Sequence, residues 1–414
     1  MNTLLSITAI AVTTATLAVA APAAAKAGDP VKVSDDLTID PIIDGMLRWE
    51  HVDQANPDLD ADAVTLRMRA GAELSSHGFS FLAEAEGTLA ISDNYNDTIP
   101  GNNGYRGAEP YSVVADPENV ELNRLQIAYG GKWGKVTVGR QLINMDNQRF
   151  VGAVAWRQNE QTFDAVRGEF KAGPIAIDAV YSNSQRTVFG IDSPNSHFDG
   201  DLVLLNGGVD LKTVKVKAFT YLLDWDRLTR QGLSSQTYGV LAVGAIPLGS
   251  KAKLNFLGSY ALQSDYAGNP VNFKADYINA ELGASIMGFG LKGGYEKLGS
   301  DNGRAAFQTP LATLHAFNGW ADLFLTTPAD GIQDYYGGLT KALGNAGPLK
   351  GMSAAVVYHK FESDNASIDY GTEWDASLGF KVSNYAVLLK YANYNADRFG
   401  TDTEKFWLQV GFSY

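Results

Sequence analysis

From Ile42 to the C-terminus this chain alternates, residue by residue, between apolar and polar side chains, and no other feature constrains its fold so tightly. The last stripe is the clearest: Phe406, Leu408, Val410, Phe412 and Tyr414 interleave with Lys405, Trp407, Gln409, Gly411 and Ser413. Successive side chains of a strand point to opposite faces, so this is a strand with one face in grease and the other in water. A soluble sheet would alternate too. Repetition separates the two: about eighteen such segments follow one another with almost no helical period between them, the pattern of a transmembrane β-barrel. Beyond residue 25 no apolar run reaches the roughly 20 residues of a membrane helix. A closed barrel is also the one sheet that leaves no unpaired edge in hydrocarbon. The expected fold is therefore all-β, an antiparallel up-and-down barrel of about 18 strands, with about 16 as the alternative count.

Composition agrees. Gly 43, Tyr 19 and Phe 19 suit tight turns and interfacial aromatic girdles, and Cys 0 removes disulfide frameworks, thiol catalysis and cysteine metal sites. Leu4 to Ala20 is an apolar stretch followed by Ala23-Ala24-Ala25 and Ala25-Lys26-Ala27, both small-x-small. Residues 1–25 read as a signal peptide cleaved after 25 or 27, 26–40 as a short periplasmic segment, and 41–414 as the barrel. Export with a barrel pattern places the chain in a bacterial outer membrane of the Gram-negative type.

The connections repeat this message, because such barrels alternate short periplasmic turns with long external loops. Tight links occur at 75–78, 130–132, 171–173, 248–250, 287–288 and 383–384, and long ones near 93–118, 144–161, 183–200, 224–235 and 299–331. The segment near Asp334 to Lys341 alternates only weakly.

A lumen of this strand number is too wide for facing side chains to fill, so passage of solutes is the default function. Parity assigns Arg67, Arg69, Arg124, Arg167, Lys215, Lys217, Lys251, Lys253, Lys292 and Lys390 to the inner face. It assigns Asp44, Glu50, Glu73, Glu84, Glu86, Glu169, Asp178, Glu281, Glu296 and Asp375 there too, a charged lumen of roughly balanced sign. Either a cationic ladder binds an anionic solute through its guanidinium groups, or cross-strand ion pairs merely stiffen the wall. Arg140 shares the parity of Val136 and Val138 and is aimed at lipid, unless a bulge at Gly139 or an interfacial height resolves the conflict. The following loop is rich in Arg, Asn, Gln and Trp, unlike a solvated tip. It is expected to enter the barrel and narrow the pore, with Arg149 and Arg157 facing Asp146, Glu160 or Asp164.

Other chemistry is less specified. The net charge of −13 sits mostly in loops, where Asp58/Asp60/Asp62 and Asp93 to Asp97 offer hard oxygens to Ca²⁺ or to ions bridging lipopolysaccharide; a solvated loop is the alternative, and no cofactor is expected. His51, His77, His197, His315 and His359 are scattered, with no H-E-x-x-H or G-x-S-x-G motif, so no catalytic residue or metal ligand is assigned. Glu84/Glu86 as a glycosidase pair in an outer-membrane hydrolase is the enzymatic alternative, and salt bridging the plainer one. A receptor barrel would need a plug domain, for which 26–40 is too short.

Two stretches then carry a resemblance. The run VGRQLINMDNQRFVGAVAWRQNEQTFDAV (138–166), together with TPLATLHAFNGWADLFLTTPADGIQD (309–334), resembles the alginate-export-type outer-membrane barrels. The resemblance implies an eighteen-stranded barrel and a polyanion-conducting or porin-like pore lined by basic residues. It makes Arg140, Arg149, Arg157 and Arg167 the candidates for binding a uronate or other anion. In the second stretch Trp320 and Phe317 could stack on sugar faces while Asp322 and Asn318 bind hydroxyls, or the aromatics could be the core of a compact loop. The expected partners are a small-molecule or oligosaccharide solute, outer-membrane lipid and lipopolysaccharide, and the barrel-assembly machinery during insertion. No nucleic acid is expected, and the chain is expected to be a monomer. A general, weakly selective porin is the runner-up.

Overall fold

The computed structural model describes residues 30–57, 59–102, 109–249 and 252–413. The leader with both cleavage positions, Asp58, Ser250, Lys251 and Tyr414 lie outside the described residues.

A two-residue strand, β1 (Val31–Lys32), pairs with the start of β2 (Thr38–Gln54). The chain then runs up and down through β3 (Ala61–Ser76), β4 (Phe79–Asn94), β5 (Asn119–Gly131), β6 (Gly134–Gln141), β7 (Thr162–Ala172), β8 (Ile175–Arg186), β9 (His197–Asp210) and β10 (Val214–Trp225). It continues through β11 (Ser235–Pro247), β12 (Ala252–Asp265), β13 (Lys274–Ile286), β14 (Phe289–Leu298), β15 (Ile332–Ala346), β16 (Leu349–Glu362), β17 (Asp369–Val382), β18 (Tyr385–Ala396) and β19 (Thr403–Ser413). Each is antiparallel to its neighbour, and β19 pairs back onto β2 from Thr403 opposite Gln54 to Ser413 opposite Asp44. β2 to β19 thus close into an eighteen-stranded barrel.

Short turns gather at the end that holds both barrel termini, and long loops at the other. Two of the turns show why the sequence closes so tightly there. His77 and Gly78 have φ of 50° and 86°, and Met287 and Gly288 have 48° and 78°. Two successive left-handed residues make the hairpin turn whose twist matches that of the flanking strands.

The outer face is the apolar stripe the sequence displays. Leu47, Met68, Ile127, Val240 and Leu291 are exposed on it. Phe79, Tyr129, Phe170, Phe289 and Tyr385 ring its lower edge, and Trp49, Tyr181, Tyr238, Tyr335 and Trp374 its upper part. The weak segment near 334–341 is a full strand, β15. Gly337 interrupts its outward stripe between Tyr335 and Leu339.

The inner face has two chemically different halves. On β8 to β12 it is apolar, with Val180, Leu202, Leu204, Phe219, Tyr221, Leu223, Leu241 and Leu257 buried. Because both faces of β9 and β10 are apolar, their alternation is blurred in runs such as Leu202 to Leu205. On β2 to β5 and β19 the inner face is charged: Arg48, Glu50, Arg67, Glu84, Glu86 and Lys405 are all buried. Side chains reach these burials inside a wide barrel only because something covers them, and external loops do so.

Candidate functional site

The loop from 142 to 161 leaves the top of β6 and crosses the lumen. On one side Gln158 Nε2 donates to Thr65 Oγ1 of β3 at 2.7 Å, and Thr88 of β4 bonds Asn159 at 3.4 Å. On the other, the Phe150 ring packs 4.9 Å from Phe219 of β10 and 5.1 Å from Tyr277 of β13, and Arg149 Nε donates to Glu296 of β14 at 2.8 Å. The loop from 299 to 331 folds in beside it. Gly152 N–H donates to Leu311 O at 2.9 Å, Thr313 N–H to Gln148 O at 3.0 Å, and Thr313 Oγ1 to Gln148 Oε1 at 2.7 Å. Gly319 lets the second loop lie against β17: its φ is +84°, and a Cβ there would come within 2.3 Å of Glu373 Oε2.

Two arginines fasten this assembly, as the sequence anticipates, but to other partners. Arg149 holds Glu296, Thr309 Oγ1 at 2.9 Å and Asn318 Oδ1 at 3.0 Å. Arg157 holds Glu50 at 3.0 Å, Asp322 at 3.2 Å and Asp116 at 3.7 Å. The expected partners are engaged elsewhere: Asp146 with Lys217, Glu160 with Arg69, and Asp164 with Arg140. The anchoring carboxylates come from the facing wall and from other loops, which spacing within one loop cannot reveal.

Wall cations are paired as well. Arg67 and Arg69 share Asp44, Arg124 holds Glu84 through two bonds of 2.8 and 2.6 Å, and Arg167 meets Asp178 at 2.6 Å. Lys215 lies 3.5 Å from Asp210, and Lys292 pairs with Glu281. A register shift opposite Glu84 and Ala85 turns Asn123 inward beside Arg124, so Glu84 receives donors from both. Glu86 accepts the Glu160 N–H at 3.2 Å and lies 4.0 Å from Arg69. In the wall, the ion-pair reading of these charges is the one realised.

Three of the candidate site residues, Arg140, Trp320 and Asp322, are corrected. Arg140 does not line the lumen. It lies on the outer wall, where it grips Asp164 at 2.8 and 3.0 Å and the Leu122 carbonyl at 3.1 Å, in a groove walled by the outward Leu125, Val138, Val166 and Tyr181. No register shift occurs at Gly139, so parity holds. Its position one outward residue above the level of Tyr181 satisfies the interfacial-height alternative. Trp320 and Asp322 are not free to meet a sugar: both are buried, Trp320 under Lys390 Nζ at 3.8 Å and Asp322 against His315, Arg157 and Lys405. Of the loop oxygens considered for Ca²⁺, those of Asp97 accept from Ile99 N–H and from Asn102.

At the centre of the second loop's seat, His315 stacks on Trp156 at 4.2 Å, gives Nδ1–H to Asp322 at 2.8 Å and receives Lys390 Nζ at Nε2, 2.6 Å away. Burial above all, with help from Lys390, pushes its pKa down to about 3 against the pull of Asp322. Burial works to raise Asp322, but His315 and Lys405 outweigh it and hold that carboxyl below the ordinary range. A histidine depressed from its ordinary value of about 6.5 resists the proton when packed and accepts it when released. Loop packing therefore weakens as pH falls from about 6.5 towards 3 and is intact above that window. Single-channel records should gain flicker between pH 7 and 4. His315→Gln, which keeps a donor and an acceptor, should flatten that dependence; a wild type equally quiet at both pH values would refute it.

Above the inserted loops, on the external side, lies a cavity of about 540 Å³. Its floor carries Trp156, Arg157, His315, Asp322 and Lys405, and its walls Gln185, Phe189, Phe198, Arg230, Leu233 and Leu325. Sequence reading did not single out Arg48, Asp116, Lys405 or Arg230. Arg48 and Lys405 share the inward parity of Glu50 and Gln409 and were legible on that ground; Asp116 and Arg230 sit in loops, where parity says nothing.

The sequence matches the model of the alginate export family over residues 55–280, more than half of the chain. No curated protein matches it by sequence. Among solved structures, OccAB4 of Acinetobacter baumannii is similar with a TM-score of 0.70 at 12% identity, over 92% of this chain and 98% of that one. OpdK of Pseudomonas aeruginosa, solved with vanillate, gives 0.69 at 13% identity over 91% and 98%. OccK9 (OpdG) of Pseudomonas aeruginosa gives 0.70 at 12% over 92% and 98%. At such identities the structural likeness establishes the shared barrel, and the family match adds the rest: this chain belongs to the alginate-export family of outer-membrane β-barrel channels.

Proposed function

We propose that this barrel is a monomeric, non-enzymatic channel for small anionic solutes, exported behind a cleaved leader and narrowed by its own external loops. One observation carries the reading: of the cations lining the external cavity, Arg157 and Lys405 are tied to carboxylates, while Arg230 faces none among the described residues. Such a mouth concentrates anions by electrostatic focusing. The barrel-wall cations contribute less, since each of Arg67, Arg69, Arg124 and Arg167 already faces a carboxylate. A cavity of about 540 Å³ suits a single uronate or an aromatic acid better than a polymer in transit. OpdK, a structural neighbour, was solved with vanillate, a small aromatic carboxylate, which agrees with that size and charge. The general-porin reading draws on the paired wall, which leaves little net field along the lumen.

Liposome swelling separates these readings. Proteoliposomes of the mature chain should admit glucuronate and benzoate several times faster than neutral sugars of the same size, and exclude oligouronates. Equal rates for charged and neutral solutes of one size would leave the general porin; ready passage of oligouronates would restore the polymer.

A further inference from the structure

The geometry points to a binding subsite for small aromatic carboxylates in the external cavity, with Arg230 taking the carboxylate, Phe198 walling the ring and Gln185 accepting a hydroxyl. It rests on the anion-channel reading above and adds where, and by what, such a solute is held before it enters the lumen.

Arg230 differs from the arginines of the barrel wall. Arg48, Arg67, Arg69, Arg124, Arg140 and Arg167 each lie within ion-pair distance of a carboxylate. Among the described residues none lies that close to Arg230, whose Nε is buried and without a hydrogen-bond partner. Its guanidinium carbon sits 4.3 Å over the Phe198 ring and 5.2 Å from that of Trp225, so aromatic faces orient it without neutralising it. Arg227 lies 5.6 Å from the same Phe198 ring and is tied to Pro194 O at 2.7 Å, which adds positive potential at the rim. Burial lowers the Arg230 pKa to about 10, which still leaves it charged at neutral pH. A half-buried cation with donors to spare lacks a carboxylate, and a fork of N–H groups presents itself to one in two-point fashion.

The second observation is independent of the first. Gln185 is 2% exposed and lines the same cavity. Its amide nitrogen donates to Gln161 Oε1 at 2.6 Å, while its own Oε1 is buried without a donor. A buried acceptor left unmet costs free energy that an incoming hydroxyl would recover. Phe189, Phe198, Leu233 and Leu325 supply an apolar wall beside these polar groups. A donor fork for an anion, an apolar wall and an acceptor for a hydroxyl together describe a hydroxylated aromatic acid.

The test is isothermal titration of the full mature chain in detergent with 4-hydroxybenzoate. 4-Hydroxybenzyl alcohol serves as the uncharged probe, and unheated gel mobility confirms that each variant is folded. Saturable binding is expected, weakened at least about tenfold in Arg230→Gln and for the alcohol, with Arg230→Lys in between. Equal binding by Arg230→Gln, or no binding by the wild type, overturns the subsite. Neither result touches the chloride preference of the wild-type channel, on which the anion-channel reading stands or falls by itself.

Discussion

Arg157→Ala should be the most damaging single substitution in this barrel, costing about 3–5 kcal/mol, the range for breaking a buried ion pair from one side. The reason is what it leaves behind. Glu50 is fully buried on β2, and among the described residues its carboxylate hydrogen-bonds Arg157 alone. Asp116 retains Arg48 and the Gln158 N–H, and Asp322 retains His315 and Lys405. Glu50 would be orphaned, so Glu50→Gln added to Arg157→Ala should recover much of the loss. Arg149→Ala should cost less, although Arg149 is the more deeply buried, because Glu296 keeps Tyr277 at 2.7 Å and Asn318 at 2.9 Å. The temperature at which gel mobility shifts measures all four proteins. Equal midpoints for the two arginine variants, or no rescue by Glu50→Gln, would overturn this ranking.

Trp156→Ala should open the channel. Its ring stacks on His315 at 4.2 Å with the planes 6° apart, carries Arg48 at 4.3 Å and Lys390 at 4.1 Å, and meets Trp407 edge-on at 5.8 Å. It is the point where the first inserted loop, the second inserted loop and the strands β2, β18 and β19 all touch. Trp156 is partly buried, so its truncation costs less than the about 3–5 kcal/mol of a fully buried tryptophan, and the loss falls on loops whose local opening needs less than global unfolding. The barrel wall, held by its ladder of backbone bonds, should survive. Single-channel conductance should rise severalfold with frequent transitions between levels. A variant that conducts like the wild type would mean that the loops do not set the narrowest passage.

The barrel is legible in the sequence because its determinant is local: alternate residues of one strand meet lipid, and the stripe records it. The record fades where a glycine replaces the stripe, as at Gly337, and where the inner face is apolar too, as at Leu202 and Leu204. Parity also placed the inward cations and put Arg140 on the outer wall; the family likeness drew Arg140 into the pore, and the local rule was the better guide. The partners of the loop arginines were not legible. Arg157 and Glu50 are 107 residues apart, and Arg149 and Glu296 147, so only the closed barrel brings them together. Arg230, the mouth cation with no carboxylate partner among the described residues, had no sequence signal, since what marks it is its surroundings in space.

The reversal potential of the mature chain in a planar bilayer, under a KCl gradient at neutral pH, tests the central claim most directly. A mouth in which Arg230 has no carboxylate partner among the described residues predicts a potential displaced towards that of chloride. A potential displaced towards that of potassium would contradict the account and leave the arginines as structural ties alone.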